Sequence, residues 1–263
     1  MYLICKVVGF STSSLSVESL IRRFLHEAFD SKFLYIISPW ITLFEFERPF
    51  IHLPFVEARR VDEVFRAFVF AGIDVRVLMR CVDDSIDVGL LRLLRLLRNV
   101  RKIFPDVFGT SQQYIAGEIL KYIANRISEL IKTIKIANTL RDILGENLRF
   151  DTPASGWHRR LHTKLYLNDR SAIVGSANFT RSGILSDGNW ECLLHFTKDA
   201  KKLYEDALKV AHSHFDASKG FDECERATLS LVNRLQLLDK PAASLEELES
   251  YLTELYQEIS AIA

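Results

Sequence analysis

The sequence predicts an α/β fold, a sheet covered by helices on both faces, and three observations predict it. Phe33-Leu-Tyr-Ile-Ile37 is an unbroken apolar run stopped by Ser38-Pro39, the pattern of a strand buried on both sides. A helical pattern over Val61 to Ala71 ends at Gly72 and gives way to a second apolar strand, Val75 to Met79. That strand–helix–strand rhythm is the signature of crossover connections. Two further strands, Leu161 to Leu167 and Ala172 to Val174, flank the turn Asn168-Asp169-Arg170-Ser171.

Taken in order, residues 1–9 alternate loosely and predict a strand. Ser14 to Asp30 predicts a helix, with Leu20, Ile21, Phe24, Leu25 and Phe29 at helical spacing and Glu18 near its start. Pro49 and Pro54 bracket an irregular segment. From Ile86 to Leu148 the chain reads mainly as helix. Arg92, Arg95 and Arg98 recur along Leu90 to Arg98, either as a phosphate-facing stripe or as the wet side of an amphipathic helix. Tyr114 to Leu144 is a long Ile-rich helix that Gly145 stops. After Pro241, Ser244 and Glu247 form a capping box. Leu245, Leu248, Leu252, Leu255, Ile259 and Ile262 then alternate spacings of three and four, which suits a helix docked on its own domain or a self-association seam. The expected organisation is a main domain over 1–220, with a helical insertion over 86–148, and a C-terminal helical segment over 221–263.

Composition narrows the class. The chain has 263 residues, 48% hydrophobic and 26% charged, which excludes a disordered or fibrous chain. Lys+Arg and Asp+Glu number 34 each, so the formal net charge is zero. That excludes a uniformly basic nucleic-acid coat and leaves room for a local basic cleft. The four cysteines form no CxxC pair, which disfavours a zinc ribbon; Cys5 and Cys192, in apolar runs, read most simply as buried thiols. The N-terminus has no signal-peptide pattern and no run is long and apolar enough to span a bilayer, so a cytoplasmic protein without membrane partners is expected.

The chemistry concentrates between Leu161 and Phe196. By the period of two, His162, Lys164 and Tyr166 share one strand face while Leu161, Thr163, Leu165 and Leu167 share the other. Gly175-Ser176-Ala177-Asn178 leaves the returning strand, its small residues letting backbone approach a ligand. An imidazole, an ammonium, a hydroxyl and a carboxamide thus converge, groups that suit a phosphoryl centre. Trp157, His158, Arg159, Arg160 and Arg181 are candidates for a rim around it. His212 and His214 point apart on one helix and read as surface residues.

His162-x-Lys164-x4-Asp169 followed by Gly175-Ser176-x-Asn178 resembles the HKD signature of the phospholipase D superfamily. Asn189-Trp-Glu191 resembles the acidic motif often seen downstream, and Tyr35 to Ile41 the first strand and its loop. The turn between Asp169 and Gly175 is one residue shorter than the family's. The resemblance implies a mixed sheet with helices on both faces and a metal-independent phosphodiesterase needing no cofactor. His162, Lys164, Asn178, Glu191 and Asp169 would be catalytic, with Gly175, Ser176, Arg181 and Arg160 binding substrate. It also implies that one His attacks phosphorus and a second protonates the leaving oxygen. H-x-K occurs once in this chain, so a homodimer sharing one site is expected, with DNA or RNA as substrate. The alternative is a non-catalytic nucleic-acid-binding or regulatory subunit on the same scaffold; a component of a larger assembly is a third possibility.

Overall fold

The computed structural model describes residues 2–5, 16–53, 56–80, 91–99, 110–151, 161–185, 191–237 and, near the C-terminus, 247, 249–254 and 257. The chain divides into two compact units. The first contains Met1–Arg80, Ile136–Thr152 and Arg159–Phe221. It is built on a mixed seven-stranded sheet in the order β1-β9-β8-β7-β2-β5-β6. Its strands are β1 (Tyr2–Cys5), β2 (Phe33–Ile37), β5 (Asp74–Arg80), β6 (Leu148–Asp151), β7 (Leu165–Asn168), β8 (Ser171–Gly175) and β9 (Cys192–Thr197). A two-stranded ribbon, β3 (Ile51–Leu53) and β4 (Val56–Ala58), stands apart from that sheet.

The apolar run at 33–37 forms the strand its composition demands. β2 pairs parallel with β5 and antiparallel with β7, and Leu34, Ile36 and Ile37 are fully buried. Helices α1 (Val17–Ala28) and α2 (Val61–Phe70) bury Phe24, Phe65 and Phe68. On α1's side of the sheet the Asn168 carboxamide reaches the Phe24 carbonyl. The opposite face carries α6 (Lys201–Asp216), whose Tyr204, Ala207, Ala211 and Phe215 join Tyr35, Ile37, Leu165, Leu167 and Phe196 in one core. Along β2, Tyr35 and Ile37 enter this core while Leu34 and Ile36 are buried on the other face, the pattern of a sheet covered twice.

Parallel pairing of β2, β5 and β6, with antiparallel β7, β8 and β9, brings a defined set of chain ends to one sheet edge. Ser38 follows β2, Arg80 and Asp151 end β5 and β6, Lys164 precedes β7, Ser176 follows β8 and Glu191 precedes β9. In open α/β sheets the crevice beyond the carboxyl ends of the parallel strands is where ligands bind. The hairpin turn at Asp169 lies at the other edge.

The second unit contains Cys81–Lys135, Pro153–His158 and Asp222–Ala263. Its described parts are helical: residues 91–99 (α3), the part of α4 (Thr110–Leu144) up to Lys135, and α7 (Phe221–Leu237) from Asp222. Leu94, Leu97, Ile123, Leu130, Val232 and Leu252 are buried, and Arg98 pairs with Glu249 at 3.0 Å. Of the helical insertion expected over 86–148, the part up to Lys135 falls in the same unit as Asp222–Ala263, and the part from Ile136 falls in the first unit. Of the heptad positions only Leu252 is among the described residues, and it is fully buried. Cys192, read as a buried thiol, is disulfide-bonded, as is Cys224. Strand register sets Cys5 opposite Cys192, a cross-strand placement that the apolar runs alone did not reveal.

Candidate active site

Strand β7 begins at Leu165, not at Leu161. Leu165 pairs with Ile37, the last residue of β2, and with Val174 on β8. Ser38-Pro39 then ends β2, so residues 161–164 run on past the ladder on that side. His162 and Lys164 therefore stand at the sheet edge on chain that tertiary contacts hold. The Leu161 amide donates to Asp151 Oδ2 at 2.6 Å, and the Leu161 carbonyl accepts from Arg80 Nε at 2.8 Å.

His162 is exposed, while Lys164 is only 6% exposed. The Lys164 ammonium donates to the His162 carbonyl at 2.8 Å and lies 3.1 Å from Nδ1 and 3.2 Å from Nε2 of the ring. A cation so close disfavours an imidazolium. The His162 pKa is lowered by Lys164 first, then by burial and by Arg80. Burial and Arg80 also lower the Lys164 pKa, against which Glu191 acts.

Gly175 begins the next part of the site. Its amide donates to the Lys164 carbonyl at 3.3 Å, tying the two segments together. A Cβ here would lie 2.1 Å from the Cys192 carbonyl oxygen and 2.9 Å from Leu193 Cα, so only glycine lets β9 approach this closely. Ser176 donates its hydroxyl to Glu191 Oε2 in a short hydrogen bond and accepts from the Cys192 amide at 2.9 Å. Glu191 is 8% exposed and its charge acts on the Lys164 ammonium, with no ion pair between the two among the described residues. Its hydrogen-bonded partner among the described residues is Ser176. Asn178 Oδ1 is buried and receives no hydrogen bond from any described residue. The loop that carries Asn178 is fixed on both sides. The Tyr166 hydroxyl donates to the Ala177 carbonyl at 2.6 Å, and the Phe179 amide donates to Ser38 Oγ at 2.9 Å.

The structure thus gathers His162, Lys164, Gly175, Ser176, Asn178 and Glu191 at one edge and sets Asp169 apart. Asp169 sits in the hairpin at the opposite end of β7, where Oδ2 accepts from the Lys32 amide at 3.0 Å. That is a turn-fastening contact, remote from the imidazole. Arg181 is exposed at the start of the short helix α5 (Arg181–Ile184), its amide donating to Thr42 Oγ1 at 3.1 Å. Arg160, Trp157, His158 and Arg159 lie outside the described residues.

His214, read as a surface residue, is instead in the same neighbourhood. Its Nε2 is 3.0 Å from Thr163 Oγ1, and burial lowers its pKa. Sequence reasoning also missed Arg80. The available signal was position: a lone cation ending an apolar parallel strand, on the edge where such folds bind ligands. Among the described residues no group of three His, Cys, Asp or Glu side chains is placed to hold a metal ion.

No family model matches the chain, and no curated protein matches its sequence. Solved structures are similar to it in fold. Nuc, a phospholipase D family member from Salmonella typhimurium, is 14% identical with a TM-score of 0.40, over 76% of this chain and 90% of that one. NucT from Helicobacter pylori is 10% identical with a TM-score of 0.42, over 84% of this chain and 99% of that one.

Proposed function

We propose that this chain is a metal-independent phosphodiesterase, a nuclease that hydrolyses DNA or RNA through a phosphohistidine at a site shared by two copies. The observation that carries the reading is the single sheet edge on which a neutral-leaning His162, a nearly buried Lys164 ammonium and an unengaged Asn178 carboxamide meet.

In the proposed reaction a ring nitrogen of His162 attacks the phosphorus of the diester. An N–P bond forms and the bond to the leaving oxygen breaks. His162 of the second copy, entering as imidazolium, gives that oxygen its proton. Now neutral, the same ring takes a proton from water; the hydroxide attacks phosphorus, and the N–P bond breaks to restore the first imidazole. Lys164 and the Asn178 amide hydrogens stabilise charge on the non-bridging oxygens, where most of such a barrier is overcome. Ser176 and Glu191 position this wall of the site through their mutual hydrogen bond.

The test is hydrolysis of bis(p-nitrophenyl) phosphate and of single-stranded DNA and RNA in excess EDTA, with His162→Ala alongside. Turnover that survives chelation and disappears in the variant is expected. Cleavage that vanishes with EDTA would overturn the mechanism. Tight oligonucleotide binding with no turnover of any diester would favour the second reading, a binding subunit, for which the zero net charge is the favouring observation.

A further inference from the structure

Arg80 ends β5 and crosses the end of β2 to reach the Leu161 carbonyl, one residue before His162. Its guanidinium lies over the Trp40 ring, 5.5 Å from the centroid. The Trp40 segment is itself fastened to the Asn178 loop. Ser38 Oγ donates to the Trp40 carbonyl at 2.7 Å while accepting from the Phe179 amide, and the Thr42 amide donates to the Phe179 carbonyl at 3.1 Å. A guanidinium has five N–H donors in a planar fork. Arg80 spends one on Leu161; those on its two terminal nitrogens find no acceptor among the described residues. Asp151, the nearby carboxylate, bonds the Leu161 amide instead and forms no salt bridge with Arg80 among the described residues. The result is a partly exposed, pre-oriented cation with open donors.

Its side of the site matters. Lys164, Ser176, Asn178 and Glu191 belong to β7, β8, β9 and their connections, whereas Arg80 and Trp40 lie on the β2–β5 side of His162. A phosphate at His162 would meet the first group. A strand leaving that phosphate toward β2 would pass the open face of Arg80.

We propose that Arg80, held against Trp40, binds a phosphate of the same nucleic-acid strand next to the one His162 attacks. This rests on the nuclease reading and extends it by a subsite that a simple diester does not fill. Arg80 also lowers the pKa of His162 and Lys164, so an anion on its guanidinium would loosen that restraint as substrate binds.

The experiment compares wild type, Arg80→Gln, Arg80→Lys and Asp151→Ala on a single-stranded oligonucleotide and on bis(p-nitrophenyl) phosphate. It also measures oligonucleotide binding against salt, by anisotropy, in a His162→Ala background. Arg80→Gln is expected to lower kcat/KM for the oligonucleotide about tenfold more than for the small diester. It should also flatten the log K against log salt slope by about 0.7, the share of one single-strand phosphate. Arg80→Lys keeps the charge and should keep the slope. Asp151→Ala removes the acceptor of the Leu161 amide, the other clamp on this segment, and should slow both substrates alike with the slope unchanged. Equal losses on both substrates in Arg80→Gln, with an unaltered slope, would overturn the proposal and leave Arg80 a positioning residue. Absence of hydrolysis by wild type would instead sink the nuclease reading, and the binding slope of the Arg80 variants would still decide the phosphate contact.

Discussion

Lys164 does two things to His162, and a pH profile separates them. Its ammonium lies within 3.2 Å of both ring nitrogens and is the largest cause of the lowered His162 pKa. In the proposed mechanism the attacking imidazole must be neutral and the second ring protonated, so the profile is bell-shaped, and the acid limb of kcat/KM, set by the attacking ring, should lie below the ordinary 6.5. Lys164→Met removes the nearby cation, so the residual activity should show that limb displaced to higher pH, while kcat falls about 100-fold or more with the lost charge stabilisation. A limb that stays in place would mean the ammonium does not set the imidazole's protonation. Glu191→Gln should act more gently. The amide can still accept from Ser176 Oγ, so about tenfold lower kcat with an unchanged melting temperature is expected. His162, Lys164, Ser176 and Asn178 were legible because their spacing and the period of two announce a shared edge. Arg80 and His214 were not. Each is a lone residue far along the chain, brought near Leu161–Thr163 only by sheet order and by the docking of α6.

The hairpin of β7 and β8 shows why a motif residue can be fixed by structure rather than chemistry. Asn168 builds the turn. Its fully buried carboxamide accepts from the Arg170 and Ser171 amides, both at 2.8 Å, and its own carbonyl accepts from the Tyr204 hydroxyl at 2.7 Å. Asp169 only fastens this turn to Lys32. Asn168→Ala should therefore cost about 2 kcal/mol in urea unfolding, since it strands two amide donors. Asp169→Ala should cost about 1 kcal/mol or less and leave kcat within about twofold; a collapse of kcat at normal stability would return Asp169 to the chemistry. At the far end of the same hairpin, Gly175→Ala drives a methyl into the backbone of β9. It should destabilise by about 1–3 kcal/mol and disturb the Ser176–Glu191 contact. Runs such as Phe33–Ile37 were predicted to the residue because burial on both faces leaves a continuous apolar signature. β6 was hidden because four residues, Leu148–Asp151, follow directly on a long helix and its stop at Gly145. Leu161–Lys164 alternates like a strand but has run past the end of β2, so its periodicity reports facing direction, not pairing.

For the molecule as a whole, zero net charge and a single H-x-K pull in the same direction. With no general positive field to gather a polyanion, binding must come from the few cations at the sheet edge, which is why their placement carries so much of the proposal. The composite site makes the strictest demand. The phosphohistidine mechanism proposed above needs a nucleophile and an acid, and H-x-K occurs once in the chain, so that proposal predicts two copies facing one phosphate. Among the described residues, His214 is another imidazole bonded to the segment that carries His162. It bonds Thr163, on the strand face opposite His162, and this placement argues against its serving as the acid. The decisive measurement uses a heterodimer of one wild-type and one His162→Ala chain, co-expressed with different tags and purified through both. If each chain held a complete site, the heterodimer would retain about half the wild-type rate. If the two rings act on one phosphate in nucleophile and acid roles, it should be almost inactive, and His214→Ala in both chains should leave the wild-type rate nearly unchanged. A half-active heterodimer, or a monomer that turns over diesters at full rate by light scattering and assay together, would require the acid to come from within one chain.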